Sequence, residues 1–452
     1  MSPPPSTPEL IDPATDYPDA DATGGSRADH GNPVRTLRRY RDLRLLFGAS
    51  VVSDIGTWMQ AVTVGTLVAT TSHSAAATAM VMSALFLPQG LCSPLGGLLA
   101  DRFDRRKMAM LLLALQTVLT VGLGVLIRSG VVAAGALALV ILVQGSAAAM
   151  SGPALQAITP QLVPAEDLMP ALSLATISWN SGRIAGPVLG VACTAAFGAS
   201  TTIFLNALSF LVPIIALAMV RRSFRSGRQV SLRRFVAELK EGAVLARSTP
   251  SIRVLLPGVV VIQLVISSLL PAMPFYGRNV LGGGSNLVTA LFTGMGLGAM
   301  TAAALAPGLS LRAGRSAVAR VALGMMCVGL ALASLARLPL VAVLAVAIYG
   351  AGLSGFFVAV GSVVQRDAPE SHRGRLVSIY VAVTGLTYGL GSMANGFVAD
   401  HLWGLRSQLL FWAVTLASLS ALVRWRRPEW YAMLDGTDPT PRWRQVRVWA
   451  IG

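Results

Sequence analysis

Charged residues are scarce in this chain: only 12% of its 452 residues are charged, whereas soluble domains carry about 25%. Hydrophobic residues make up 54% of the sequence. A soluble protein of this length cannot cover so much apolar surface in its core. Because the few charges are also kept apart from the apolar runs, the composition excludes an ordinary soluble domain and is typical of a multi-pass membrane protein.

Cysteine and histidine are equally sparse, and each type is scattered along the chain. The three cysteines, Cys92, Cys193 and Cys327, lie far apart in apolar stretches, and there are four histidines. This spacing predicts neither a disulfide framework nor a metal site. The sequence also lacks a phosphate-binding loop for ATP. We therefore expect no metal and no cofactor, and a membrane enzyme is disfavoured.

Basic residues outnumber acidic ones by 36 to 20, which gives a formal net charge of +16. Such a charge can indicate a nucleic-acid partner. In a membrane protein it has another source, because cytoplasmic loops collect Lys and Arg and contact anionic headgroups. The prediction is that membrane lipids, and not nucleic acids, are the partner of this charge.

Twelve apolar stretches are each close to the 20 or so residues that a membrane-spanning helix requires. They lie near 45–70, 76–100, 108–128, 131–152, 171–197, 200–220, 252–276, 286–308, 316–336, 338–361, 376–399 and 406–424. Basic turns alternate with turns that are poor in Lys and Arg. This alternation predicts an even number of spans with both termini in the cytoplasm.

Polar segments divide the chain into five parts. We predict a disordered cytoplasmic tail over 1–40, a first helical bundle over 41–220 and a linker over 221–250, followed by a second bundle over 251–424 and a cytoplasmic tail over 425–452. The linker contains apolar residues at helical spacing beside basic ones. It fits either an amphipathic helix on the inner membrane surface or a solvated linker helix.

The turn after the second apolar stretch is the most charged in the chain, with six charges in the seven residues from Asp101 to Lys107. So short and basic a turn between two spans is expected on the cytoplasmic side. The pattern G-x-x-x-D-R-x-x-R-R, which begins at Gly97, resembles the signature loop of the major facilitator superfamily of transporters. The spacing Pro-x8-Ser-x12-Gly, which begins at Pro164 and again at Pro369, is consistent with repeated halves.

The resemblance implies an all-α integral membrane protein with twelve transmembrane helices in two six-helix, pseudo-repeated bundles around a midplane cavity. It also implies that the loop is a conformational latch formed by Gly97, Asp101, Arg102, Arg105 and Arg106. Gly97 would permit close helix contact, and Asp101 would face the positive N-terminal end of a neighbouring helix. Asp104 departs from the family pattern, which has glycine there. The alternative is a merely solvated turn.

Two charged residues fall inside predicted spans. Asp54 lies in the first span and Arg183 in the fifth, where Asn180 shares a helix face with Arg183. A charge at mid-bilayer is costly and usually faces a cavity or a partner. Asp54 is a candidate proton site, or an acid wetted by headgroups at the span end. Pairing of Asp54 with Arg183 is a further hypothesis.

Small residues and a proline also occur together in the fifth span, as Gly186, Pro187 and Gly190. Small residues let membrane helices approach closely, and proline bends them. The sequence resembles the glycine–proline motif of exporters in the superfamily. A plain packing notch is the alternative reading.

Uncharged polar and aromatic residues inside the apolar runs are candidates for the cavity lining. Among them are Gln144, Gln263 and Tyr388, with Gln60, Trp58, Phe86 and Trp179 as further members of the set. Together they suit a large, partly apolar ligand. Interhelical hydrogen bonding within the bundles is the other explanation for most of them.

The likeness extends to Gly56-Thr57-Trp58-Met59-Gln60 in the first span and to the segment 152–164 after the fourth. Both are similar to the enterobactin-exporter-like, drug-efflux group of the superfamily. The resemblance implies a monomeric antiporter in the bacterial inner membrane that exports a small molecule, such as a siderophore, antibiotic or drug, in exchange for protons. An importer of the same fold, and a polytopic enzyme or receptor without transport, are the alternatives.

Overall fold

The computed structural model describes residues 33–220, 250–367, 373–426 and 429–435, and every regular element in these ranges is a helix. The first half contains α1 (Pro33–Arg39), α2 (Arg41–Ser72), α3 (Ala75–Ala84), α4 (Leu87–Arg102), α5 (Arg105–Arg128), α6 (Ala134–Ile158), α7 (Leu168–Phe197), α8 (Ala199–Ser209) and α9 (Leu211–Met219). The second contains α10 (Pro250–Leu269), α11 (Met273–Phe275), a π-helix (Tyr276–Val280), α12 (Ser285–Ala313), α13 (Arg315–Leu335), α14 (Pro339–Asp367), α15 (Arg373–His401), α16 (Gly404–Arg426) and α17 (Glu429–Asp435).

Ten helical segments of the described chain are long and apolar enough to cross a membrane. Four of them join consecutive helices, namely α3 with α4, α6 with the 3-10 helix Thr159–Gln161, α8 with α9, and α10 with α11 and the π-helix. Two further long helices, α7 and α15, occupy the places of the predicted fifth and eleventh spans. Both carry polar residues inside the apolar run, Arg183 at mid-length of α7 and Asn395 in the last two turns of α15. The all-helical membrane architecture is confirmed, and the count of twelve spans stays a prediction.

Short turns make successive spans antiparallel, so the molecule has two ends that can be named. The basic-loop face is the end with the turn between α4 and α5, which contains Phe103 and Asp104. The far face is the opposite end, with the turn between α2 and α3. A left-handed residue, His73 (φ 51°), ends α2 at the far face.

The two halves meet along three pairs of spans. Helix α7 packs on α12, helix α15 packs on both α3 and α4, and α11 and the π-helix contact α2. Glycine allows a close approach of α4 to α15, because a Cβ at Gly90 would lie 2.7 Å from the backbone oxygen of Ala382. The spans α2, α7 and α15, which carry Asp54, Arg183 and Tyr388, therefore line the junction between the halves.

The far face is tied across the halves by hydrogen bonds. The carboxylate of Asp400, at the end of α15, accepts from the hydroxyl of Ser74 and from the backbone N–H groups of Ala75 and Ala76 at the start of α3. The amide of Asn279 lies 2.9 Å from Nδ1 of His73. An acid placed at a helix N-terminus satisfies donors that the helix itself leaves open.

Both predicted tails contain a short helix, and the first of these corrects the prediction of disorder for residues 33–39. Residues 33–39, placed in a disordered tail, form α1, and Tyr40 after it donates a 2.9 Å hydrogen bond to the buried carboxylate of Asp167. Residues 429–435, placed in a polar tail, form α17, where Asp435 accepts from the N–H of Ser316 at 2.9 Å. Tertiary contacts order both segments. The predicted linker helix lies outside the described residues.

Candidate functional site

A row of glycines on α7 brings this helix into close contact with α2. A Cβ at Gly182 would lie 2.7 Å from the carbonyl carbon of Asp54, and one at Gly186 would lie 2.5 Å from the Cβ of Trp58. A Cβ at Gly190 would likewise lie 3.0 Å from the Cα of Met59. These residues recur every fourth position, which places them on one helix face. The predicted pair Gly186 and Gly190 lies in this contact beside buried Pro187.

Asp54 lies deep within its span. It is about 20 Å along α2 from Arg41, by the rise of an α-helix. Its carboxylate accepts a 2.5 Å hydrogen bond from the hydroxyl of Ser178 on α7. The depth favours an intramembrane site over a position at the span end. Among the described residues no ion pair joins Asp54 to Arg183, so the predicted pairing is not part of this conformation.

Arg183 lies at a similar depth on α7, about 22 Å from the start of that helix. Its Nε is buried and has no hydrogen-bond partner in the described part of the chain. Arginine stays charged, so a guanidinium in this position calls for an anion or water. Asn180, one turn away, donates to the carbonyl of Thr176 at 2.9 Å within its own helix. The two side chains therefore do not act as one group here.

Aromatic rings from both halves meet at the junction next to these charges. Trp58 lies 5.5 Å from Trp179 and 6.3 Å from Phe292, measured between ring centroids. Phe86 lies 5.5 Å from Tyr388, with nearly perpendicular ring planes. Edge-to-face contacts at these distances are favourable. The rings come from α2, α7, α12 and α15, and Phe86 precedes α4, so this aromatic cluster joins the two halves near mid-span.

The glutamines join helices within each half. Gln60 donates to Gln144 at 2.8 Å and accepts from Asn206 at 2.7 Å, and all three are almost fully buried inside the first half. Gln263 donates to the carbonyl of Thr384 at 3.2 Å and thereby links α10 to α15. Buried amides that satisfy one another hold helices together. Gln144 is thus a bundle residue and not part of a cavity wall in this conformation.

Two arginines of the basic loop, Arg105 and Arg106, bond within the first half. Arg105 lies 3.4 Å from both the carboxylate of Asp101 and the carbonyl of Ala157 at the end of α6. Arg106 donates to the carbonyl of Ala218 at 2.8 Å, in the last turn of α9. Cations at helix C-termini satisfy carbonyls that lack a helical partner. Arg102 also has a partner in the structure. The loop thus anchors the ends of three helices.

Two residues of the loop motif have roles that the sequence did not indicate. The close contact predicted for Gly97 belongs to its neighbour: a Cβ at Gly96 would lie 2.5 Å from the backbone of Met150, whereas one at Gly97 meets nothing within 4 Å among the described residues. Asp104, which departs from the family pattern, caps α5 by accepting from the N–H of Lys107 at 3.1 Å. Aspartate is a favoured N-cap residue.

Sequence reasoning missed four residues of this arrangement. Gly182 extends the predicted glycine pair by one turn, and this spacing was visible in the sequence. Ser178 and Asn206 are ordinary polar residues in apolar runs, so their partners emerge only from helix packing. Asp400 contacts residues more than 320 positions away. Long-range pairs of this kind leave no local pattern.

Comparison with known proteins assigns the chain to a family. The profile of the family described as transmembrane secretion effector, MFS_3, matches residues 36–448. The uncharacterized MFS-type transporter YfiS of Bacillus subtilis is 30% identical over 187 residues, which is 41% of this chain and 44% of that protein. The aligned part is therefore less than half the length of this relative.

Two solved structures establish the fold. A POT family transporter superposes with a TM-score of 0.70 at 12% identity and covers 86% of this chain and 96% of its own. A D-xylose–proton symporter superposes with a TM-score of 0.66 at 18% identity, over 85% and 97% of the two chains. At such low identity the likeness concerns the fold alone. With the family profile spanning both halves, the chain belongs to the transmembrane secretion effector family of major facilitator transporters.

Proposed function

We propose that the chain is a proton-coupled exporter of an amphiphilic small molecule, of the siderophore, antibiotic or drug class, and that it works as a monomer by alternating access. In this proposal it lies in the bacterial inner membrane with both termini in the cytoplasm. The basic-loop face is then the cytoplasmic face, and the far face is the external one. The observation that carries the proposal is the placement of Asp54 and Arg183 at mid-span beside the aromatic cluster.

Asp54 supports proton coupling through its position. It is an acid inside a membrane span, at the α2–α7 contact, with Ser178 as its hydrogen-bond donor. A carboxyl in such a place can change protonation when water reaches it from one side or the other. A proton taken up from outside would neutralise the acid, and its release to the cytoplasm would restore the charge. That cycle matches an antiporter.

The junction supports an amphiphilic cargo. Trp58, Phe86, Trp179 and Tyr388 offer apolar ring faces from both halves. Arg183 adds a cation whose Nε is unpartnered in the described part of the chain. Ligand sites commonly combine apolar walls with a few polar groups that fix orientation. A molecule with a flat apolar body and one anionic or strongly polar group fits this combination.

Alternating access is supported by the hydrogen bonds at the far face. Asp400 and Asn279 join the halves there, which fits a conformation closed on that side. In the opposite conformation we expect the loop residues Gly97, Asp101, Arg102, Arg105 and Arg106 to act as the latch at the cytoplasmic side, as the family resemblance implies. Asp101 would then face the N-terminus of α15, the helix that carries Asp400 in its last turn.

Export is the favoured direction because of the glycine–proline segment of α7, which resembles the exporter motif. Everted vesicles test it, since their cytoplasmic face points outward. An acidic lumen should drive uptake of at least one compound from a panel of hydroxamate and catecholate iron chelators and hydrophobic drugs. Uptake driven by the reverse gradient would indicate an importer, and no gradient-driven uptake of any compound would contradict the proposal.

Substitution of Asp54 tests the coupling. Asp54→Asn should reduce gradient-driven uptake at least tenfold while leaving exchange of cargo across the membrane without a gradient. Asp42→Asn is the matched control, because it makes the same change in the first turn of the same helix. Unchanged gradient-driven uptake by Asp54→Asn would remove this acid from the mechanism.

A further inference from the structure

A cavity lies at the far face, apart from the aromatic cluster. It has a volume of about 260 Å³ and is lined by α2, α7 and α8 of the first half and by the π-helix and α12 of the second. Its walls combine apolar side chains such as Val62, Leu67 and Val191 with hydroxyls and one arginine, Arg278. The cavity therefore has an apolar part and a polar part.

The polar part carries positive charge. Arg278 forms no ion pair with an acid in the described part of the chain. Two helices also begin at the cavity, α8 at Ala199 and α12 at Ser285, and neither has a side-chain cap. Helix N-termini present open N–H groups and partial positive charge. The lining contains no carboxylate to balance these charges.

Hydroxyl groups complete the lining. Thr63 and Thr194 share a 3.1 Å hydrogen bond, and Thr194 lies 3.0 Å from Thr202. The Oγ1 of Thr66 is buried in the lining without a hydrogen-bond partner in the described chain. A buried hydroxyl left without a partner is costly. A ligand oxygen accepting from this hydroxyl would remove that cost.

We propose that this cavity is a binding site for a small organic acid, with the carboxylate at Arg278 and Thr66 and the apolar body against Val62 and Val191. A guanidinium and hydroxyl donors without a competing acid select an anion. The volume lies just below the usual range of ligand pockets, about 300–1,000 Å³. The ligand is therefore small, of the size of an aromatic monocarboxylic acid.

The site lies between the halves, so its ligand would contact both of them. A ligand that binds one conformation better than another shifts the population toward it. Occupancy should therefore stabilise the conformation in which the far face is closed by Asp400. This inference goes beyond the proposed transport activity, because it requires neither a proton gradient nor a direction of transport.

Calorimetry on the full-length protein in detergent tests the site, with benzoate as the probe and benzamide as its neutral counterpart of the same shape. We expect benzoate to bind at least tenfold more tightly than benzamide. Inorganic phosphate should not compete at equal concentration. Equal binding of benzoate and benzamide, absence of benzoate binding, or equal competition by phosphate would each overturn the proposal.

Two variants locate the site. Arg278→Gln should weaken benzoate binding at least tenfold, and Thr66→Val should weaken it about threefold, both with unchanged melting temperature. Arg337→Gln removes another far-face arginine, which does not line the cavity, and should leave binding unchanged. If Arg278→Gln and Arg337→Gln bind benzoate equally, the site is not this cavity. If benzoate does not bind, the proposed transport function is not affected, because the vesicle uptake assay tests it independently.

Discussion

At the far face, hydrogen bonds cross from one half of the molecule to the other, whereas Arg105 and Arg106 of the basic loop bond within the first half. Asp400 reaches the start of α3, while Arg105 and Arg106 hold the ends of α6 and α9. The first arrangement resists separation of the halves at that end. The second preserves the shape of one bundle and does not by itself resist separation. The difference fits a molecule in one of two alternating conformations.

The largest effect on stability is expected at the α2–α7 contact, which lies at mid-span between the two faces. Gly186→Leu would force a side chain against α2. Even a Cβ added at this position would lie only 2.5 Å from the Cβ of Trp58. Overpacking costs about 1–3 kcal/mol and occasionally more. We expect a clear drop in the melting temperature in detergent, or no folded protein. Gly122→Leu is the control, because that position is open. Equal melting temperatures would contradict the tight α2–α7 contact.

The next largest effect is expected from removing the hydrogen bonds that join the halves at the far face. Asp400→Asn removes a charged acceptor from three donors, and a hydrogen bond to a charged group contributes about 1.5–3 kcal/mol. We expect the population with an open far face to rise at least tenfold. Spin labels at Val131→Cys and Leu338→Cys, in protein lacking its three cysteines, report the distance between the halves.

Asp104→Asn serves as the control for that experiment, because it changes a helix cap at the basic-loop face. Asparagine is also a favoured N-cap, so we expect no change in the far-face distance and little change in stability. If both variants leave the distances as they are in the unmodified protein, Asp400 does not hold the far face closed.

A smaller effect concerns a bond within the first half at the basic-loop face. Burial and the bond to Asp167 raise the pKa of the Tyr40 phenol above its ordinary value, so it remains a donor at neutral pH. Tyr40→Phe should cost about 1.5–3 kcal/mol in thermal unfolding. Arg39→Gln should cost less than about 1 kcal/mol, because Arg39 is exposed and 3.9 Å from Asp167. A larger loss of stability in Arg39→Gln than in Tyr40→Phe would make the Arg39–Asp167 ion pair the main contact.

The smallest effect is expected at α17, also on the basic-loop face. Burial alone would raise the pKa of the Asp435 carboxyl, but hydrogen bonds from Ser316 and from the backbone of Arg315, together with the charge of Arg320, outweigh it and hold that pKa below its usual range. A lowered pKa in the folded state stabilises docking above the unfolded value of about 4. This contribution is lost as the pH falls through the folded pKa.

Hydrogen exchange over residues 429–435 measures that docking. Protection should decrease as the pH is lowered below about 4, after correction for the intrinsic exchange rate, and Asp435→Asn should show reduced protection at neutral pH with little further dependence on acid. Protection that does not change with pH in the unmodified protein would mean that Asp435 does not hold α17.

Much of the architecture was predictable because the membrane imposes a strong local pattern. Apolar length located the spans, and the charge of one turn indicated the superfamily. The glycines of α7 were partly predictable from spacing alone. The partners of Asp54, Gln60 and Asp400 were not, because each lies on another span and depends on how the helices pack. The close helix contact was predicted for Gly97 and occurs at Gly96, because adjacent residues of a helix face different neighbours and the sequence does not show how the helices pack.

The closure at the far face has a consequence for biosynthesis. The carboxylate of Asp400 is stabilised there by backbone N–H groups of α3, and in the described ranges no ion pair joins it to a lysine or arginine. In the proposed orientation this end must be carried across the bilayer as the chain inserts, and extra cations there would oppose that passage. A helix end supplies positive potential with no added side-chain charge. The chain can thus hold its external face closed without adding lysine or arginine residues that would oppose correct membrane insertion.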